Sequence, residues 1–326
     1  MSPFKGRPAI QQQEFRFAAI ERELGDAGIA LDSLHAVVGR GGLMRPVASG
    51  TYRVDEIMLA ELREARYGDH PANLGAILAK SIADAADVEA YVVDPATVDE
   101  WQDVARLSGS ALIERKCWGH VLNTKAIARR FAREHGKHYS DLRLLIAHLG
   151  SGATVSAHQD GRMIDSTAVQ EGPFSADRTG ELPVIELAKL CFSGRYSLSE
   201  VERLLFGEGG IYSYLGTRDL QEVERRIEAG DALATKVFNA LVYQIAKAIG
   251  SMSTVLEGRI DGLLITGGMA HSSRLIAKLL DSVHWIAPVT IYPGEDELLA
   301  MAEGALRVLR GEESAQEYGT SFAGSK

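Results

Sequence analysis

LRLLIAHLGSGATVSAHQDGRMIDST, residues 142–167, decides the fold. One apolar run ends at His148 before the turn Gly150-Ser151-Gly152, a second ends at Asp160-Gly161, and a third follows. Strand, glycine turn, strand, Asp-Gly turn and strand together predict an antiparallel meander. Upstream, HAVV (35–38) runs into Gly39-Arg40-Gly41-Gly42, and AYVVDP (90–95) ends at Asp94-Pro95. Both read as short buried strands, with helices between them at 54–66 and 72–85. Further helices are expected at 97–107, at 121–135 and at 11–28, the last with Phe15, Ala18, Ile20 and Leu24 on its apolar side and Gly28 closing it. Beyond the meander, helices at 184–192, 198–205, 219–229 and 231–257 precede a buried strand IDGLLIT (260–266). A strand at 288–292 and an amphipathic helix close the pattern. Strands alternating with helices place the chain in the α/β class.

The chain has 326 residues, and single cores stop growing near ~250–300, so two domains are expected. The change of pattern puts the division near 140: an N-terminal α/β domain over 1–139 and a C-terminal α/β domain over 140–295. The closing helix at 296–313 is expected back on the first domain, and 314–326 reads as a frayed polar tail. Hydrophobic residues at 46% and charged residues at 24% exclude a disordered or fibrous chain. A net charge of −9 argues against a nucleic-acid binder. Two cysteines, Cys117 and Cys191, are too few for a disulfide framework. MSPFKGRPAIQQQEFRF carries no apolar leader core, and no run suits a membrane helix, so a cytoplasmic enzyme is expected.

Four glycine clusters follow apolar runs, at 39–42, 150–152, 207–210 and 266–268. Each is either a tight turn or a backbone nest for phosphate. Neither GxGxxG after a strand nor GxxxxGK[ST] occurs, which disfavours a Rossmann dehydrogenase and a P-loop enzyme. Arg40 inside its glycine loop and Arg178 inside GPFSADRTG suit a phosphoryl or carboxylate ligand, or are structural. His148 is a catalytic candidate or a core histidine. Asp94 stands where α/β sheets keep ligand contacts, or caps the next helix. His120 and Asn123 share one turn, as caps or as substrate contacts. Asp296 and Glu297 are magnesium ligands or first-turn acids of a helix. No histidine pair has zinc spacing.

In order, AVVGRGGL (36–43), GDHPANLGAILA (68–79), VVDPATVDEW (92–101), RKCWGHVLNTKAIARR (115–130), HLGSGATVSAHQDGR (148–162), EGPFSADRTG (171–180), LITGGMAH (264–271) and APVTIYPGEDELLAMAEGALRVLRG (287–311) resemble the butyrate kinase branch of the acetate kinase family. The resemblance implies a two-domain actin-like ATPase (ribonuclease H-like) fold, with nucleotide in the cleft between domains. It implies an ATP-dependent kinase of a short-chain carboxylate, butanoate above all, with Mg2+ as cofactor and a homo-oligomer as the assembly. Arg40 and Arg178 then hold the acyl carboxylate and the transferred phosphoryl group. Asp94 is the acid of the catalytic centre, and His120 and His148 contact the phosphoryl group in flight. Gly150, Ser151 and Gly152 resemble the second phosphate loop, Gly267 and Gly268 the loop near the adenosine. Asp296, with Glu297 beside it, matches the magnesium acid.

The family's opening strand-turn-strand, with its Asn-x-Gly-Ser-x-Ser-x-Lys-type phosphate loop, has no counterpart here. The N-terminal domain is therefore expected to be incomplete, through a start placed too far downstream. Gln170 stands where the family often has glycine. The rival reading is a truncated, catalytically impaired nucleotide-binding homologue.

Overall fold

In α/β folds the strand ends set where side chains meet ligands. The computed structural model describes residues 7–320, the side chains of 169, 170 and 320 excepted; the reading at Gln170 falls outside the described residues. Two compact units result: one runs to Glu100 and resumes at Asp296, the other is Trp101–Glu295.

In the first unit β1 (Ala36–Gly39) pairs parallel with β3 (Glu89–Val93), and β3 pairs antiparallel with β2 (Thr51–Arg53). The helix Leu74–Ala86 buries Leu74, Ile77, Leu78 and Ile82 at helical spacing, and packs on β1 and β3. The closing helix, Glu297–Leu309, also packs on these two strands. The helix Gln13–Asp26 forms, but none of its residues is fully buried and Phe15 stays exposed.

The stretch after 311 departs from the frayed tail expected of it. Gln316–Glu317 adds a fourth strand, parallel to β2, and Tyr318 is fully buried. The Tyr318 hydroxyl donates to Glu61 Oε2 at 2.5 Å and accepts from the Arg45 N–H at 3.1 Å, while the Arg45 guanidinium lies 4.5 Å over its ring. One aromatic residue with a buried carboxylate partner outweighs the polar composition around it. Tyr318→Phe should cost about 1–3 kcal/mol, because buried Glu61 loses a donor. An unchanged urea midpoint would contradict this anchoring.

The second unit opens with a small hairpin, β4 (Leu107–Ser110) and β5 (Ile113–Glu114), where a helix over 97–107 was expected; only Asp103–Arg106 is helical. Burial of Val98 and Trp101 on tertiary partners overrides the local helical pattern. The meander appears as β6 (Leu144–Leu149), β7 (Ala153–Gln159) and β8 (Arg162–Ser166), antiparallel in turn. β9 (Gly262–Gly267) and β10 (Val289–Pro293) extend the sheet parallel to β6, giving the order β10-β9-β6-β7-β8. The helix Ala232–Ser253 covers one face through Leu241, Ile245 and Ile249. Phe131, Ala128 and Ala132 of Val121–Glu134 cover the other, packed with Leu144, Ile146 and Leu264. Enclosure on both faces is why β6 is buried at every position. It also explains the boundary. The division lies at 100/101 rather than 139/140, because the helix 121–134 needs the second sheet to bury Phe131. Among the described residues no helix is long and apolar enough to cross a membrane.

Candidate active site

β1 and β3 are parallel neighbours with Gly39 opposite Val92, so Arg40 and Asp94 leave the sheet side by side at its carboxyl end. Asp94 is buried and left-handed at φ 38°. It does not cap a helix. Its Oδ1 accepts from Ser49 Oγ at 2.5 Å and from the Gly50 N–H at 2.9 Å, while its own N–H donates to Gly50 O at 3.0 Å. Arg40 forms an ion pair with Glu297. The glycines around Arg40 are closely packed: a Cβ on Gly41 would stand 2.4 Å from Pro95 Cβ. Asp296 caps the closing helix, Oδ1 accepting from the Leu299 N–H at 3.2 Å. No group of three or more His, Cys, Asp or Glu residues fit to hold a metal ion occurs among the described residues.

In the second unit, His148 is buried near the end of β6. Its Nδ1 lies 3.0 Å from Asn123 Oδ1, and no side chain caps the helix 121–134. Glu295 Oε1 lies 3.1 Å from His148 Nε2, at ion-pair distance but off the hydrogen-bonding direction. Nε2 is a buried polar atom without an aligned hydrogen-bond partner. His120, at the start of the helix 121–134, places Nδ1 3.1 Å from Thr154 Oγ1, and its ring stacks on His148 with centroids 3.8 Å apart at 14°.

Two glycines of the turn between β6 and β7 let long side chains approach its backbone closely. A Cβ on Gly150 would stand 2.6 Å from Glu295 Oε1, and one on Gly152 would stand 2.3 Å from Arg178 Nη1. The Arg178 guanidinium thus lies flat against the turn. Burial pushes its pKa below the ordinary arginine value, and the nearby Asp177 carboxylate opposes that shift. No hydrogen bond to this guanidinium occurs among the described residues. A desolvated cation in this state is costly until an anion joins it.

Of the remaining glycine clusters, 207–210 spends the Gly207 and Gly209 N–H groups on Asp177 O, at 2.7 and 3.1 Å. Gly267 exchanges backbone hydrogen bonds with Gly294 at 3.1 and 3.0 Å, and Gly268 opens a short helical turn. Gly150, Ser151 and Gly268 line one cavity of about 590 Å³, with Arg218, Glu224 and Glu295. That volume is within the usual range for a small-molecule site. Sequence reasoning missed Arg218, Glu224 and Glu295. Only Glu295, beside the acids already singled out, carried a local signal.

The family model described as the Acetokinase family matches residues 111–298. A probable butyrate kinase 2 of Caldanaerobacter subterraneus subsp. tengcongensis is 46% identical over 314 residues, spanning 96% of this chain and 89% of the relative. A probable butyrate kinase of Listeria monocytogenes serotype 4a is 46% identical over 312 residues, spanning 95% of this chain and 88% of that one. The chain belongs to the acetokinase family. It is a carboxylate kinase, a phosphotransferase with a carboxyl acceptor that uses ATP. Its fold is the actin-like ATPase fold. The acetate kinase of Porphyromonas gingivalis superposes with a TM-score of 0.77 at 19% identity, over 90% of this chain and 84% of that one. A propionate kinase of Francisella tularensis subsp. tularensis gives 0.68 at 18%, over 88% and 83%.

For this kinase, Gly152→Ala is an expected loss-of-function change. The new methyl group must displace the Arg178 guanidinium, and misplacement of about 1 Å already costs ~10²-fold. Initial-rate measurement of ADP formation checks it; a rate within twofold of wild type would contradict the close approach.

Proposed function

We propose that the chain phosphorylates butanoate, or a short-chain acid close to it, with ATP, giving butanoyl phosphate and ADP. The single observation that carries this reading is the Arg178 guanidinium, half-buried against Gly152 with no hydrogen bond among the described residues. The two relatives named as probable butyrate kinases support the acyl length.

The acceptor carboxyl is ionised at neutral pH, since such groups titrate near ~4–5. A carboxylate oxygen attacks the γ-phosphorus, the bond to the bridging oxygen breaks, and ADP leaves with the electron pair. No proton moves, so a general base is not required, and Asp94 acts through its charge. Catalysis then rests on position and on neutralising the equatorial oxygens. Arg178 supplies the fixed cation, and His148 turns Nε2 toward the Gly150–Gly152 turn that cradles the phosphates, with His120 stacked behind it. Gly267 and Gly268 border the adenosine. Arg40 holds the acyl carboxylate; Glu297, another carboxylate, takes that position on it here.

Magnesium, when bound, would supply positive charge that offsets that of the phosphates. Asp296 suits that role: Oδ1 caps the helix and leaves Oδ2, and Mg2+ takes one or two carboxylates with phosphates and water. Glu297, paired with Arg40, is the poorer ligand. ATP as donor suits a cytoplasmic setting. The exposed Val184, Ile185, Phe192 and Leu198 suit a homo-oligomer, which light scattering on the eluted peak tests.

The test of function assays acids from acetate to hexanoate with MgATP, reading ADP formation and trapping acyl phosphate with hydroxylamine. We expect kcat/KM to peak at butanoate and to fall ~10- to 200-fold with one methylene removed. ATP binding without acyl phosphate from any of these acids would overturn the proposal in favour of an impaired nucleotide-binding homologue.

A further inference from the structure

We infer that Asn123 is a positioning residue for phosphoryl transfer, acting through His148; the inference rests on the role proposed above for that histidine. Asn123 lies in the first turn of the helix 121–134, and His148 is near the end of β6. Both are buried, at 4% and 1% exposure, and Asn123 Oδ1 approaches His148 Nδ1 to 3.0 Å. An amide oxygen accepts and cannot donate, so this bond requires the proton on Nδ1. It also fixes the ring about its long axis, because the stacked His120 ring, 3.8 Å away, confines one face. With Nδ1 held, Nε2 has one direction left. It faces the turn, where a Cβ on Gly150 would stand 3.1 Å away. A tether on the far side of a ring fixes its orientation; with the Nδ1 proton given to Asn123, a contact from Nε2 to a phosphoryl oxygen requires the second ring proton as well. Helix capping does not explain Asn123, since no side chain caps this helix. His120 carries a parallel tether from Thr154 Oγ1 at 3.1 Å, so each stacked ring is held from behind by a neutral residue.

The experiment is a double-mutant cycle on the full chain, Asn123→Leu crossed with His148→Gln, with Asn123→Asp alongside. Asn123→Asp keeps an acceptor oxygen facing Nδ1. Asn123→Leu should lower kcat about 10- to 100-fold with KM for ATP within about threefold, and Asn123→Asp should recover most of that loss. In the His148→Gln background Asn123→Leu should cost less than about twofold, because the group it aims is gone. Equal losses in both backgrounds would overturn the inference while leaving His148 in the site. Wild-type kcat in His148→Gln would sink the role of His148 itself, a different failure. Should the leucine variant not fold, long-range 1H–15N spectra of the histidine-labelled wild type decide: a proton on Nδ1 of His148 supports the tether, and a bare Nδ1 overturns it.

Discussion

Arg178→Met is expected to lower kcat about 10²–10³-fold while leaving the melting temperature unchanged or raised. The two halves of that result have one cause. A guanidinium half-buried against Gly152, with no hydrogen bond among the described residues, costs the resting protein part of its hydration. Methionine fills a similar volume without the charge, and such replacements are often neutral or stabilising. In the role proposed for it, the same cation meets charge spread over three phosphoryl oxygens in the transition state, in a place partly stripped of water, where its attraction is stronger than in bulk solvent. Stability and activity therefore move in opposite directions at one position, as they do where a site is held in readiness for its ligand. Arg178→Lys should restore only part of the rate, because an ammonium on a flexible stem does not reproduce the planar fork. A methionine variant with wild-type kcat would remove Arg178 from the site. One with normal kcat and lower melting temperature would make it structural.

What the sequence made legible was what is local. The meander could be read because turn residues and apolar runs announce themselves within a few positions, and Asp160-Gly161 joins β7 to β8 as expected. His148 before Gly150-Ser151-Gly152 was legible for the same reason. Its partners were not. Asn123 and Glu295 lie 25 and 147 positions away, and no periodicity links a helix start, a strand end and the second residue after β10. The boundary was illegible because no biased linker marks it; the helix 121–134 joins whichever sheet buries Phe131. Glycine clusters were ambiguous by nature. Close packing and anion binding both select for a missing Cβ, and an added Cβ would meet neighbouring atoms within 3 Å at 39, 41 and 42 and at 150 and 152 alike. Tyr318 shows the reverse error, in which polar composition hid a single buried anchor.

Asp94 offers the second large effect, and a pair of substitutions divides its two jobs. Its Oδ1 takes hydrogen bonds from Ser49 Oγ and the Gly50 N–H, so the side chain clamps the 49–50 segment to the end of β3. Its backbone is left-handed at φ 38°, a region that aspartate and asparagine tolerate better than other non-glycine residues. Asp94→Asn keeps an acceptor oxygen and the same tolerance, so the unfolding free energy should change by less than about 1 kcal/mol. It removes the charge, however, and the charge is what a magnesium-phosphate centre requires of an acid that moves no proton. Activity should fall about 10²-fold or more, and excess magnesium should not restore it. Asp94→Ala removes the clamp as well: the buried Gly50 N–H and the half-buried Ser49 hydroxyl lose their acceptor, and alanine is forced into a left-handed conformation. Together these cost about 3–5 kcal/mol, read as a lower denaturant midpoint alongside lost activity. The asparagine variant is the decisive one. Full activity there, with alanine still destabilised, would reduce Asp94 to a clamp; an alanine variant as stable as wild type would show that the hydrogen bonds from Ser49 and Gly50 hold nothing in place.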